Sequence, residues 1–255
     1  MLVHRYLLGQ LVKRDVLIRY RGAMFGVVWI FLSPLLMLGI FALVFGHIFP
    51  SRWPRQDGTF PFWLMLYIGL IVFNLFSDTV SRAPMAVRGY PSYVKRIIFP
   101  VDLLPLVPLG AALVHGAFNT LILVVLLGCF DFLSVHILLF PLLLLPVVLL
   151  SIGLAWFLAA WGVFIKDMSQ IVPLVVQMLL FLSPVLYPVS AVPAVLRPLF
   201  AINPIGVTIE AARDAAIGAS VIWSAWALAL LIGAVAAWLG HSFFQHSRDE
   251  FADAL

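Results

Sequence analysis

Charge is what this sequence has least of. Only 10% of its 255 residues are Asp, Glu, Lys or Arg, against 64% hydrophobic. A soluble domain carries about a quarter charged and about half apolar residues, so an ordinary water-soluble globule is excluded. The 15 Lys and Arg exceed the 11 Asp and Glu only slightly, and nothing points to nucleic acid. Cysteine is limited to Cys129, which has no intrachain disulfide partner and reads as a packing residue in an apolar stretch. No Lys follows a Gly: Lys13 and Lys95 follow Val and Lys166 follows Ile, so there is no phosphate-binding P-loop and the chain is not expected to hydrolyse ATP alone. The histidines, His4, His47, His115, His136, His241 and His246, make no HExxH and no ligand-spaced cluster, which leaves no metal site. Ser33, Ser151 and Ser183 lie in apolar runs without a GxSxG elbow, and such hydroxyls usually bond their own helix backbone. No catalytic residue is assigned. The first twenty residues carry bases throughout and lack a signal-peptide core, so they are expected to stay in the mature protein.

Long apolar runs are abundant. A hydrocarbon core of about 30 Å takes roughly 20 apolar residues per helical crossing, and this length suits about six crossings. The expected fold is an all-α integral membrane protein with spans over 24–49, 62–81, 101–130, 135–165, 171–187 and 221–244. The second must continue through Asn74, Ser77 and Asp78. Kinks are expected at Pro34, Pro141, Pro146, Pro173 and Pro184, which membrane helices tolerate where neighbours re-satisfy the freed carbonyls. Residues 1–22 are too charged to span; Val3, Leu7, Leu11 and Ile18 make a helical stripe interrupted near Arg14 and Asp15, as in an amphipathic helix on the membrane surface. Residues 188–220 are broken by Pro193, Pro198 and Pro204 into pieces too short to cross, and Asn203-Pro204 is a strong helix start for a short re-entrant helix over 204–217. The positive-inside rule sets the orientation. Arg5, Lys13, Arg14, Arg19, Arg21, Arg82, Arg88, Lys95, Arg96, Lys166 and Arg248 fall on one side, and only Arg52, Arg55, Arg197 and Arg213 on the other, which puts both termini in the cytoplasm.

Ionisable groups deep in a bilayer are costly and by default mark a transport path. Asp78, Asp102 and the Lys166-Asp167 pair all fall near helix ends, so no midplane proton relay is expected and a proton-coupled secondary transporter is disfavoured. A membrane enzyme acting on polyprenyl phosphates would show paired carboxylates or histidines at one face, and none is found.

Several segments carry a family resemblance. Arg19-Tyr20-Arg21-Gly22 leading into Gly26-Val27-Val28-Trp29 and Ser33-Pro34, then Tyr93 to Pro100 with Asp102-Leu103-Leu104-Pro105, resemble the membrane subunits of ABC-2 type exporters, in particular O-antigen and related polysaccharide permeases. Lys166-Asp167 with Gln170 and Pro173, Ser183-Pro184-Val185, Tyr187-Pro188, and Asn203-Pro204 with Glu210 and Arg213 extend the likeness over nearly the whole chain. The sequence departs from that pattern at Gly22-Ala23 and in the apolar turn at Asp131.

The resemblance implies a homodimer working with two copies of a separate ATPase that binds ATP and Mg, in the inner membrane of a bacterium. Segment 82–99 would be the cytoplasmic coupling loop, with Val87, Tyr90, Tyr93, Val94, Lys95 and Arg96 meeting the ATPase; an ordinary positive-inside loop explains the same bases. The implied cargo is a polysaccharide linked through pyrophosphate to a polyprenyl lipid, with teichoic acid, capsule glycan, simple lipid or drug as alternatives. Arg14, Arg19 and Arg21 would capture the pyrophosphate, since Arg offers two donors to phosphate oxygens; positive-inside anchoring also accounts for them. Trp29, Trp53, Phe60, Phe62, Trp63, Tyr67 and Tyr187 would line a glycan path, or equally form an interfacial aromatic belt.

Overall fold

The computed structural model describes residues 2–45, 60–91 and 99–254. Among the described residues the regular elements are helices: α1 (Leu2–Tyr20), α2 (Trp29–Leu43), α3 (Phe62–Arg82), α4 (Met85–Arg88), α5 (Leu106–Cys129), α6 (Phe140–Leu143), α7 (Leu145–Phe164), α8 (Met168–Leu182), α9 (Arg197–Ile202), α10 (Pro204–Ala216), α11 (Trp223–Ser247) and α12 (Phe251–Ala254). Five stretches are long and apolar enough to cross a bilayer: Gly26–Leu43, Phe62–Arg82, Val101–Cys129, Val135–Phe164 and Trp223–Glu250.

The helix expected over 171–187 is displaced. It starts at Met168, stops at Leu182 and has 15 residues, about 22 Å at 1.5 Å per residue. The stop has a local cause. Pro184 lacks an N–H and its ring disfavours the helical conformation for the residue before it, and Ser183 is extended, with φ −109° and ψ 148°. Pro141 and Pro146 likewise do not kink one long helix; each sits in the first turn of its own helix, α6 and α7, with Leu144 between them. Pro34 and Pro173 lie inside α2 and α8.

Helix α3 is the axis of the bundle. Thirteen of its 21 residues are buried, and α5, α7, α8 and α10 pack around it. Asn74, Ser77 and Asp78 do lie within this helix, which runs on to Arg82. The tightest seam joins α7 to α11. A side chain at Gly240 would strike the backbone of Gly153, one at Gly153 the backbone of Ala236, and one at Gly233 the carbonyl of Pro146. Small residues there let two apolar helices approach at backbone distance, where dispersion supplies the attraction that water cannot. By contrast α2 buries only Ile30 and Leu38, and α8 only Val172 and Val176. Leu35, Leu36, Met37 and Ile40 on the first helix, and Leu174, Val175, Met178 and Phe181 on the second, stay exposed.

Candidate functional site

Helix α1 carries Asp15 and Arg19 one turn apart, and α3 carries Asp78 and Arg82 with the same spacing. The helices meet so that the signs cross over. Arg82 Nη2 donates to both carboxylate oxygens of Asp15 at 2.6 Å, and Arg19 Nη2 donates to Asp78 Oδ1 at 2.5 Å. The result is a two-pair clasp between α1 and the central helix. Beside it α1 leans on α5, where Leu11 is buried and Val12 fills the space a side chain at Gly110 would need. The sequence stripe is therefore only partly the buried face: Ile18 is exposed, and Asp15, which interrupts the stripe, faces a partner.

His115 of α5 closes the clasp. Arg19 Nη1 lies 2.8 Å from His115 Nδ1; a guanidinium only donates, so Nδ1 accepts. Nε2 is then the protonated nitrogen and donates to Tyr20 Oη at 3.1 Å. Burial by itself lowers the pKa of the Arg19 guanidinium, but the hydrogen bond and negative charge of Asp78 outweigh it and leave the pKa above its ordinary value. Asp78 is less completely satisfied. Its Oδ2 is buried and accepts no hydrogen bond among the described residues, with Arg82 Nη1 at 3.9 Å and His115 Nδ1 at 3.8 Å.

A polar cavity of about 340 Å³ opens against this cluster, between α1, α2, α3 and α5. Arg19, Tyr20, Ser33, Asn74, Asp78 and His115 supply most of its polar lining, and Trp29 and Pro34 part of its apolar wall. On the other side of Tyr20 lies a shallower hollow bounded by Lys13, Arg14 and Arg21 together with Leu17, Ile18 and Val27. Of the three arginines assigned to pyrophosphate capture, Arg19 is held in the clasp, Arg14 places its guanidinium 5.2 Å from the centre of the Tyr90 ring, and Arg21 is exposed.

The expected coupling segment begins where α3 ends. Val87 of α4 is fully buried in a cluster with Ala86, Leu104, Ala159, Ala160, Val163, Phe244 and Phe251. Tyr90 packs on its edge. The cluster brings the chain's last helical turn under α4: Phe251 is buried and meets the rings of Phe244 and Phe164 at 5.3 and 5.9 Å. Pro84 lies so close to α7 that a side chain at Gly162 would strike its backbone. Tyr93, Val94, Lys95 and Arg96 fall outside the described residues, as does Trp53.

At the opposite end of α3 stands Arg213, counted in the sequence only as one of four outward bases. It is 2% exposed. Its Nε donates to Met65 O at 3.0 Å, Nη1 to Pro184 O at 2.7 Å and Nη2 to Val185 O at 2.7 Å, and Glu210 one turn earlier pairs with it at 2.9 Å. The side chain thus pins α10 to the first turns of α3 and to the break after α8. Asn203 caps α10 as its sequence position implies, accepting from Ile205 N at 3.0 Å, and its amide reaches Ser183 Oγ at 3.2 Å.

The aromatic residues assigned to a glycan path separate. Tyr67 is 4% exposed and donates to Asn119 Oδ1 at 3.0 Å, and Phe60 is 7% exposed against Phe132, so neither ring offers a free face in the protomer. Trp63 packs edge-on to Phe130 and Phe62 meets Phe45. Trp29 borders the cavity, and Tyr187, half-buried, donates to Phe181 O at 2.6 Å.

Long apolar helices, charge gathered into a clasp beside a polar cavity, and short helices pinned at the opposite end define a polytopic membrane protein of the transport class. The chain belongs to the ABC-2 type transporter family, which matches residues 6–217. It is 28% identical to the O-antigen export system permease protein RfbA of Myxococcus xanthus over 99% of this chain and 96% of that protein. It is 21% identical to the RfbA permease of Klebsiella pneumoniae over 98% and 95% of the two chains. The polysialic acid transport protein KpsM of Escherichia coli is 24% identical, covering 84% of this chain and 82% of its own. The chain is accordingly a transport permease subunit and not an enzyme.

Proposed function

We propose that this chain is the permease of an ABC exporter that moves a polyprenyl-pyrophosphate-linked polysaccharide across the bacterial inner membrane, from the cytoplasmic to the external side. The family and the names of its relatives support the transport class and a polysaccharide cargo. The observation that carries the rest is the pair of uncovered helices, α2 and α8, each burying only two residues in the protomer. Exposed apolar faces lie equally well against lipid or against a second copy; two copies facing through α2 and α8 would enclose a path whose walls can separate. In this reading α8 with the broken residues that follow it serves as a span, giving six. α1 lies on the cytoplasmic surface, both termini are cytoplasmic, and α9 and α10 dip into the outer leaflet.

Energy comes from two copies of an ATPase subunit that hold ATP and Mg. They dock on the segment after α3, and the buried Val87 cluster transmits their closure to α7 and α11. Cargo is taken up at the α1 side. Lys13, Arg14 and Arg21 around Leu17, Ile18 and Val27 combine cations with apolar surface, as a phosphate joined to a lipid chain requires. Trp29 and Tyr187 remain as rings on which sugar faces can slide.

Replacing residues 93–96 by Gly and Ser in the complex of permease and ATPase is the direct test. The expected outcome is loss of the copurifying ATPase, or ATP hydrolysis without export, with glycan accumulating on the cytoplasmic face. Unchanged complex formation and export would overturn the coupling assignment. A knockout whose cells retain surface polysaccharide would overturn the cargo.

A further inference from the structure

The cavity beside the clasp has a feature that neither packing nor anchoring explains. Asp78 is the acidic group in its lining, and it is held by one arginine while its second oxygen is buried without a hydrogen bond. In a low-dielectric setting an under-satisfied carboxylate is costly. Arg19, its partner, projects from α1 into the same cavity, which has the size of a small-ligand site, about 300 Å³ or more. Tyr20 lines both this cavity and the hollow of Lys13, Arg14 and Arg21, so the two adjoin at its side chain.

We propose that Asp78 occupies the place of a phosphate group: a lipid-linked pyrophosphate entering from the hollow past Tyr20 takes the Arg19 guanidinium from Asp78, opening half of the clasp between α1 and α3. The proposal rests on the reading of the cargo given above. A phosphate oxygen accepts the same Arg19 donors that Asp78 now takes, and its two-donor match to a guanidinium exceeds the single bond seen here. Asp78 then turns to the remaining cation, Arg82 Nη1, 3.9 Å from its Oδ2. The Asp15–Arg82 pair stays closed, so α1 swings about that point and does not detach. Loading is thereby signalled to the central helix before transport begins. Tyr20, His115 and Asn74 become cargo-site residues that sequence alone does not single out.

The test uses the complete complex of permease and ATPase in phosphatidylethanolamine–phosphatidylglycerol vesicles, with Cys129→Ser and spin labels at Gln10 of α1 and Met85 of α4, just past the end of α3, to read the separation of α1 from that end of the central helix. Undecaprenyl pyrophosphate in the vesicle is one probe and inorganic pyrophosphate in solution the other. The expected result is saturable binding of the lipid with a widened separation, and no widening with inorganic pyrophosphate at equal concentration. Asp78→Asn, which removes the internal competitor, should bind the lipid about tenfold more tightly, within the range typical of coupled sites. It should also show the widened separation without ligand. Arg19→Gln should lose the lipid while leaving labels at the distance of an open clasp. Lipid binding with unchanged separation, and unchanged affinity in Asp78→Asn, would overturn the latch and leave the cargo reading standing. No saturable lipid binding in the unaltered protein would overturn both. Widening by inorganic pyrophosphate alone would overturn the membrane lipid as the source of the phosphate.

Discussion

Arg213 and Val185, 28 residues apart, are joined at 2.7 Å by a hydrogen bond from guanidinium to carbonyl in the protein interior. The carbonyl is available because Pro184 ends α8, and the arginine is available because Asn203 starts α10 where it does. One charged side chain thus supplies donors to two carbonyls that lie beyond the end of α8. Its charge is balanced by Glu210, and its remaining donors go to Met65 and Pro184. Arg213→Met should destabilise the folded protein by about 3 kcal/mol or more, because three buried carbonyls lose their donor together. Arg213→Lys should recover little, since an ammonium cannot address three divergent oxygens. Thermal unfolding in detergent, read by intrinsic tryptophan fluorescence, checks both.

Gly69 gives a second route to the same pin. A Cβ there would lie 2.8 Å from Arg213 Nη2 and 3.1 Å from Val185 O. Gly69→Ala, ordinarily a helix-favouring change, should instead destabilise by about 1 to 3 kcal/mol through overpacking. An increase in thermal midpoint would mean that the guanidinium has room to move.

The clasp makes a charge-swap experiment possible. Asp15→Arg and Arg82→Asp each place like charges together and should loosen α1, while the double variant restores an ion pair with its sign reversed. With both groups partly exposed, the coupling recovered should be about 1 kcal/mol. Protease cleavage within α1 in detergent reads the loosening: fast in each single variant, near the parent rate in the double. Equal cleavage in all four proteins would show that Leu11 and Val12 hold α1 without help from charge.

Much of this arrangement was legible in the sequence, and the parts that were not share a physical reason. Apolar runs and the Asn203-Pro204 start report local properties, and the helices over Phe62–Arg82 and Pro204–Ala216 lie where those signals place them. Asp15 and Asp78 were visible only as irregularities, one spoiling a stripe and the other falling at the polar end of a run. Each has a partner more than fifty residues away, which spacing cannot identify. The shared signal was the matching four-residue step with the same order of signs in both helices. Arg213 was misleading in a different way: counting it among outward bases assumes exposure, whereas its meaning comes from the carbonyls freed by Pro184. Tyr67 and Phe60 read as path-lining rings because aromatics at span ends serve packing and sliding alike, and only burial separates the two.

Phe251 ties the end of the chain to the start of the proposed coupling segment. It is 1% exposed, packed in the cluster that holds Val87. Phe251→Ala should destabilise by about 3 kcal/mol, the low end for a buried phenyl ring. It should also weaken ATP-driven export more than it weakens folding, because the cluster Phe251 fills joins α4 to α7 and α11. The comparison to make is export against the amount of folded complex; strictly proportional losses would reduce Phe251 to a packing residue.

Pro184→Ala separates the break in α8 from the pin that stabilises it. Alanine restores a backbone N–H and frees Ser183 to become helical, so α8 should gain about one turn. That extension would pair the N–H groups of residues 184–186 with the carbonyls of residues 180–182 and turn the carbonyls of residues 184 and 185 away from Arg213. The guanidinium would then keep only Met65 O and Glu210, a poorly paired buried charge of the kind that usually costs several kcal/mol. The effects of Pro184→Ala and Arg213→Met should therefore not add: once the carbonyls of residues 184 and 185 have turned away, removing the arginine relieves a burden as well as breaking a contact. In a double-mutant cycle the pair should be less damaging than the sum by about 1 to 3 kcal/mol. Additive losses would mean that α8 stays broken without its proline, and that Arg213, together with the cap at Asn203, is what holds the break open.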